Sequence, residues 1–166
     1  MSENRPRELW VIDPSVNGRE DEGVAEILQT WEGPSRVFRP SLCPGDGPTP
    51  ATGHAAAGIV LMGSAVSVED DLPWLDELTE WIRPVVDGRI PLPLLAICFG
   101  HQLIAHVAGA PVGLVSPDGH KRSGVEESRS EGSRLVPGRR TLRVVVSHCE
   151  EVKTVPENFV VTAQRR

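Results

Sequence analysis

The feature that most limits what this chain can fold into is a repeated alternation. Short runs that are apolar at nearly every position are separated by stretches whose apolar residues recur at helical spacing. "ELWVID" (residues 8–13) is the first run, and Asp-Pro-Ser closes it with turn chemistry. The next stretch places Val24, Ile27, Leu28 and Trp31 at i, i+3, i+4 and i+7, which predicts an amphipathic helix over 21–31. "SRVFRP" (35–40) reads as a second strand, and the Pro- and Gly-dense 40–54 as a loop. "AGIVLMGS" (57–64) is a buried strand running into a glycine turn. Trp74, Leu75, Leu78, Trp81, Ile82 and Val85 form a second helical stripe, with Pro73 suited to its first turn. "PLLAIC" (93–98) reads as another buried strand, and 100–108 as a helix ended by Gly109. Strands without polar alternation, interleaved with helices, predict an α/β fold: a doubly wound, mostly parallel sheet with helices on both faces. After Pro111 the pattern changes. "VGLV", "SRLV", "TLRVVVSH" and "NFVVTAQ" read as strands with no helix between them.

The chain's 166 residues give room for one domain with a real core. A formal net charge of −6 argues against a general nucleic-acid or membrane binder. Arginines gather late (Arg122, Arg129, Arg134, Arg139, Arg140, Arg143), but Glu126, Glu127 and Glu131 are interspersed, which reads as a solvated loop face. The three cysteines, Cys43, Cys98 and Cys149, show no CxxC spacing, and this suits free thiols in a reducing compartment. "MSENRPREL" has no apolar segment behind it, and no stretch approaches the length of a membrane span. A cytoplasmic protein without a metal site or bound cofactor is expected, and no P-loop or other nucleotide motif is present.

In "LLAICFGHQLIAHV", Cys98 falls at the end of a strand and just before a helix. Ligands of doubly wound sheets bind beyond the carboxyl ends of the strands. The positive end of the following helix favours negative charge on a sulfur placed there. A sharp strand–turn–helix elbow would expose it, and such an elbow needs small residues at −2 and +2, here Ala96 and Gly100. Spacing alone leaves two readings open, a nucleophile or a core thiol closing a strand. "VLMGS" puts Gly63 in a second turn at a strand's carboxyl end. It is either a plain turn glycine or, with the backbone N–H of Phe99, part of an oxyanion-binding pair.

These residues carry a family resemblance. "AICFGHQLIAHVAGAPV" resembles the nucleophile segment of class I glutamine amidotransferases, where G-I-C-x-G-x-Q-L follows a strand. "GIVLMGSAVSVEDDLPWLDELTEWI" resembles that family's oxyanion loop and the helix after it. "VVVSHCEEVKTVPENFVVTA" resembles the S-H-x-[DE] stretch of its GMP-synthase-like branch. The resemblance implies a flavodoxin-like fold and an amidotransferase domain over 1–166. Cys98 would attack the side-chain amide carbon of glutamine and form a γ-glutamyl thioester, releasing ammonia for a partner synthetase. The N–H groups of Gly63 and Phe99 would hold the oxyanion, and Gln102 would help hold glutamine. Ser64 would be a loop partner and His101 a positional neighbour.

The family completes its cysteine with a later His-Pro-Glu, which this sequence does not contain. The resemblance therefore implies a domain incomplete at its C-terminus, with an apolar sheet edge left uncovered. His148, in His-Cys-Glu, is an alternative base, although it aligns with the earlier S-H-x-E loop. His54, His106 and His120 read as ordinary surface or core residues. Two other functions stay open: a binding or regulatory module of the same fold, and another α/β cysteine hydrolase.

Overall fold

A computed structural model describes residues 7–48, 56–133 and 136–165. His54 and Arg134, named above, lie outside the described residues. The chain divides into two compact units, residues 1–108 and 109–166.

The first unit is built on four parallel strands: β1 (Glu8–Ile12), β2 (Ser35–Phe38), β3 (Ala56–Leu61) and β4 (Leu94–Ala96), in the order β2-β1-β3-β4. Helix α1 (Asp21–Gln29) connects β1 to β2, α2 (Pro73–Val86) connects β3 to β4, and α3 (Phe99–Val107) follows β4. Adjacent residues of β1 show why its run is apolar throughout, because successive side chains leave opposite faces of a strand. Val11 packs with Val24 of α1, Val60 and Met62. Trp10, one position earlier, meets Phe38 edge-on with ring centroids 5.3 Å apart, and lies 6.0 Å from Trp81 of α2. Helices thus cover both faces, as expected of a doubly wound sheet. Asp21 and Glu22 occupy the first turn of α1, where the helix dipole favours acids. That helix stops before Trp31, whose indole N–H instead donates to the Pro34 carbonyl at 2.9 Å. Pro73 opens α2, whose buried stripe is Leu75, Leu78, Trp81, Ile82 and Val85.

One expectation for this unit is corrected. β4 is not buried on both faces: Leu95 and the following Ile97 are 49% and 43% exposed. It is an edge strand of the sheet, and these alternate side chains are left without cover.

The second unit is antiparallel. β5 (Val112–Leu114) pairs with β8 (Glu150–Val152), while β6 (Arg122–Ser130), β7 (Arg140–His148) and β9 (Ala163–Arg165) form a sheet of order β7-β6-β9. Here the sequence reading misses more. The Arg- and Glu-rich segment is not a loop but the nine-residue β6, paired along its whole length from Arg122↔His148 to Ser130↔Arg140. Hydrogen-bonded pairing and ion pairs hold it: Arg122 reaches Glu126 across Gly124, and Arg129 pairs with Glu131 at 2.9 Å. "SRLV" is only partly described, since Arg134 and Leu135 lie outside the described residues; neither Ser133 nor Val136 is in a strand. "NFVVTAQ" forms a strand only from Ala163. Asn158 has φ +68°, a turn conformation, and the Phe159 N–H bonds back to the Pro156 carbonyl at 3.2 Å. Val160 is left 83% exposed.

Candidate active site at the carboxyl edge of the parallel sheet

Because all four strands of the first unit are parallel, their carboxyl ends open on one edge. The chain leaves β1 for β2 on one side and returns for β3 on the other. β1 and β3 therefore flank the point where strand order reverses, which is where such sheets bind ligands. Three segments meet at this edge: 13–15 after β1, 62–64 after β3 and 97–99 after β4.

Cys98 occupies the last of these. It is the N-cap of α3, with φ +53° and ψ −111°, and its thiol is exposed and caps no backbone N–H. Left-handed φ at a residue other than glycine costs about 1–3 kcal/mol and persists only where the surroundings enforce it. The enforcement is visible on both sides. The Ile97 N–H donates to the Leu61 carbonyl at 2.9 Å, tying the elbow to β3. The Gly100 N–H turns back to the Ile97 carbonyl at 3.0 Å, and the Gln102 N–H reaches the Cys98 carbonyl at 3.1 Å. Gly100 is glycine for a plain steric reason: a Cβ there would lie 2.5 Å from the Leu61 carbonyl oxygen. The helix can pack this closely on the end of β3 only without that carbon. Of the two readings of Cys98, the buried core thiol is therefore not the one adopted.

Gly63 lies beside it. A Cβ on Gly63 would stand 3.5 Å from the Cys98 Cβ, so the two turns read separately in the sequence are adjacent in space. Phe99, the residue after Cys98, is fully buried, its ring centroid 6.4 Å from that of Trp74. Gln102 is buried on the first turn of α3. His101 is exposed at the surface of α3, and the partial burial of its ring pushes its pKa down from the usual histidine value. His148 belongs to the second unit, at the end of β7 opposite Arg122. There the carboxyl of Glu126 is held below its usual pKa range, first by its hydrogen bond from Arg122, with Arg165 and His148 adding charge.

Sequence reasoning passed over one feature of this edge. Asp13, immediately after β1, is fully buried. Its carboxylate accepts from the backbone N–H groups of Ser15 (3.2 Å) and Glu20 (3.1 Å) and from Nε of Arg39 (3.1 Å). Burial works to raise its pKa, but hydrogen bonds from Ser15, the Glu20 backbone and Arg39 outweigh this and hold it below the usual carboxylate range. The signal was an aspartate directly after a fully apolar run, in "VIDPS".

The family model described as glutamine amidotransferase class-I matches residues 44–166. The chain belongs to the class I glutamine amidotransferase family. Among curated proteins it is 26% identical, over 129 residues, to a glutamine amidotransferase-like protein of Schizosaccharomyces pombe, covering 78% of this chain and 52% of that one. It is 41% identical over 72 residues to one subunit of a glutamine-hydrolysing GMP synthase from Archaeoglobus fulgidus, covering 43% of this chain and 38% of that one. In fold it is similar to a glutamine amidotransferase from Methylobacillus flagellatus, with TM-score 0.72 and 23% identity over 96% of this chain and 61% of that one. A Thermotoga maritima glutamine amidotransferase gives TM-score 0.71 and 20% identity, over 95% and 66%. The amidotransferase chain thus spans about half the length of the first of these curated relatives. No described helix is long and apolar enough to cross a membrane.

Proposed function

We propose that this amidotransferase-like chain attacks the side-chain amide of glutamine through Cys98. The observation that carries the reading is the elbow itself: an exposed cysteine in left-handed φ, heading α3, with Gly63 against it. Donors arranged in advance around developing charge are the usual largest source of stabilisation in acyl transfer. In the proposed step the Cys98 sulfur forms a bond to the amide carbon, and backbone N–H groups at Gly63 and Phe99 take the oxyanion. The C–N bond then breaks as the nitrogen takes up the proton that the thiol gave up, leaving a γ-glutamyl thioester and ammonia, and water hydrolyses the thioester to glutamate and restores the thiol. Gln102 supports the bound glutamine from the first turn of α3. The ammonia goes to a partner synthetase, a role supported by the likeness to the archaeal GMP synthase. The residues present are proposed to belong to one amidotransferase domain, since the family match runs across both compact units.

The test is covalent capture. A chloroketone analogue of glutamine should add one label to the wild-type chain, at Cys98 by peptide mapping, and excess glutamine should protect it. No label on Cys98→Ala completes the result. Labelling that glutamine does not compete, or that falls on Cys43 or Cys149, removes the glutaminase reading and leaves a binding module of the same fold.

A further inference from the structure

We infer that Ser64 is a positioning residue, whose hydroxyl fixes the backbone at Gly63, and with it the Gly63 N–H, in place beside Cys98. This rests on the reading of Cys98 as nucleophile and Gly63 as part of the oxyanion site. Glycine rotates freely at φ and ψ, so a peptide next to Gly63 can turn away from the sulfur at little cost unless something else fixes it. The structure supplies a clamp. The Ser64 hydroxyl donates to the Pro14 carbonyl at 2.8 Å, joining the loop after β3 to the loop after β1.

The far end of the clamp is rigid. Pro14 is fully buried, and its ring fixes φ. Asp13 before it is fully buried and anchored by Arg39 and by the N–H groups of Ser15 and Glu20. Ser15 after it is tied down as well, its carbonyl accepting from the Ser41 hydroxyl at 2.7 Å. On the near side, the Met62 N–H donates to the Ile12 carbonyl at 3.0 Å. Between these fixed points lies Gly63, with the Met62–Gly63 peptide that carries its N–H. Ser64 touches no reacting atom; it acts through the Gly63 backbone on its N-terminal side.

A displacement that builds no oxyanion should not feel this clamp, and an acyl transfer should. Iodoacetamide alkylates the Cys98 sulfur at a saturated carbon, and iodide leaves. γ-Glutamyl p-nitrophenyl ester passes through a tetrahedral oxyanion: a C–S bond forms, the C–O bond breaks, and p-nitrophenolate departs with its electron pair without needing a proton. Both rates are to be measured on wild type, Ser64→Ala, Ser64→Thr and Ser64→Val, with Cys98→Ala as the background. Threonine keeps the hydroxyl, while valine keeps threonine's shape and loses it, so this pair separates the hydrogen bond from packing.

Expected for Ser64→Ala and Ser64→Val is a drop of about 2- to 12-fold in maximal acylation rate, the range set by one neutral hydrogen bond. The half-saturating ester concentration and the iodoacetamide rate should stay within twofold, and Ser64→Thr should recover wild-type acylation. Equal acylation by threonine and valine variants overturns the inference, as does a parallel fall in both reactions. A wild-type chain with no Cys98-dependent p-nitrophenolate release refutes the underlying nucleophile reading, and this role with it, before any Ser64 variant is compared.

Discussion

Replacing Gly100 with alanine sets two physical effects against each other. Gly100 lies inside α3. On helix propensity alone, alanine should stabilise the chain by about 1 kcal/mol. The packing argues the opposite. The new Cβ would sit 2.5 Å from the Leu61 carbonyl oxygen and 2.8 Å from Leu61 Cγ. Ordinary contact begins near 3.4 Å, so the helix must retreat from β3 by about 0.9 Å. The Leu61 oxygen cannot give way alone, because it accepts the Ile97 N–H at 2.9 Å. Overpacking of this kind costs about 1–3 kcal/mol, or about 2–4 °C in Tm for each kcal/mol in a domain of this size. The same retreat carries Cys98 with it, and misplacement by about 1 Å can cost about 100-fold in a positioned reaction. Urea unfolding followed by circular dichroism reads the first quantity, and trapping by the glutamine chloroketone reads the second. Gly58→Ala is the control: its nearest neighbour would be the Pro93 carbonyl at 3.4 Å, so stability should match or slightly exceed wild type. If Gly100→Ala is as stable as wild type and traps at the same rate, close helix–strand packing is not what shapes the elbow.

Asp13→Ala should destabilise by about 1–3 kcal/mol, because it leaves the Ser15 and Glu20 N–H groups without their acceptor while Arg39 keeps Asp21 at 2.6 Å; a loss under about 0.5 kcal/mol in urea would contradict that network. The Asp13 pKa is lower folded than unfolded, so its contribution is present above about pH 3.9 and disappears as pH falls through the folded value. Asp13→Asn should therefore flatten the acid limb of the stability profile, and an unchanged limb would count against it. All three cysteines are exposed, yet only Cys98 heads a helix, so iodoacetamide at neutral pH should modify it before Cys43 or Cys149 by peptide mapping. Ammonia release from glutamine should require the Cys98 sulfur. Cys98→Ala should abolish that release and His148→Ala leave it unchanged; loss on His148→Ala would make His148 the base.

The amino-acid sequence alone determined the parallel half of the fold. A strand covered on both faces must be apolar at consecutive positions, and a helix lying on it must be apolar at every third or fourth, so Trp10, Val11, Val24 and Trp81 declare their layers by order alone. The place of Cys98 was legible for the same reason, because a strand running straight into a helix defines the carboxyl edge. Antiparallel pairing escaped it. β6 is held by its register with β7 and by ion pairs, and neither leaves an apolar period in the chain. "NFVVTAQ" erred the other way, since its apolar residues meet no cover and Asn158 turns the backbone. Distances between loops were also beyond it. That Gly63 lies beside Cys98, that Gly100 packs closely on Leu61, and that Ser64 is latched to Pro14 are consequences of strand order, which places the ends of β1, β3 and β4 side by side. Local preference is written residue by residue; contact between segments dozens of residues apart exists only once the sheet has formed.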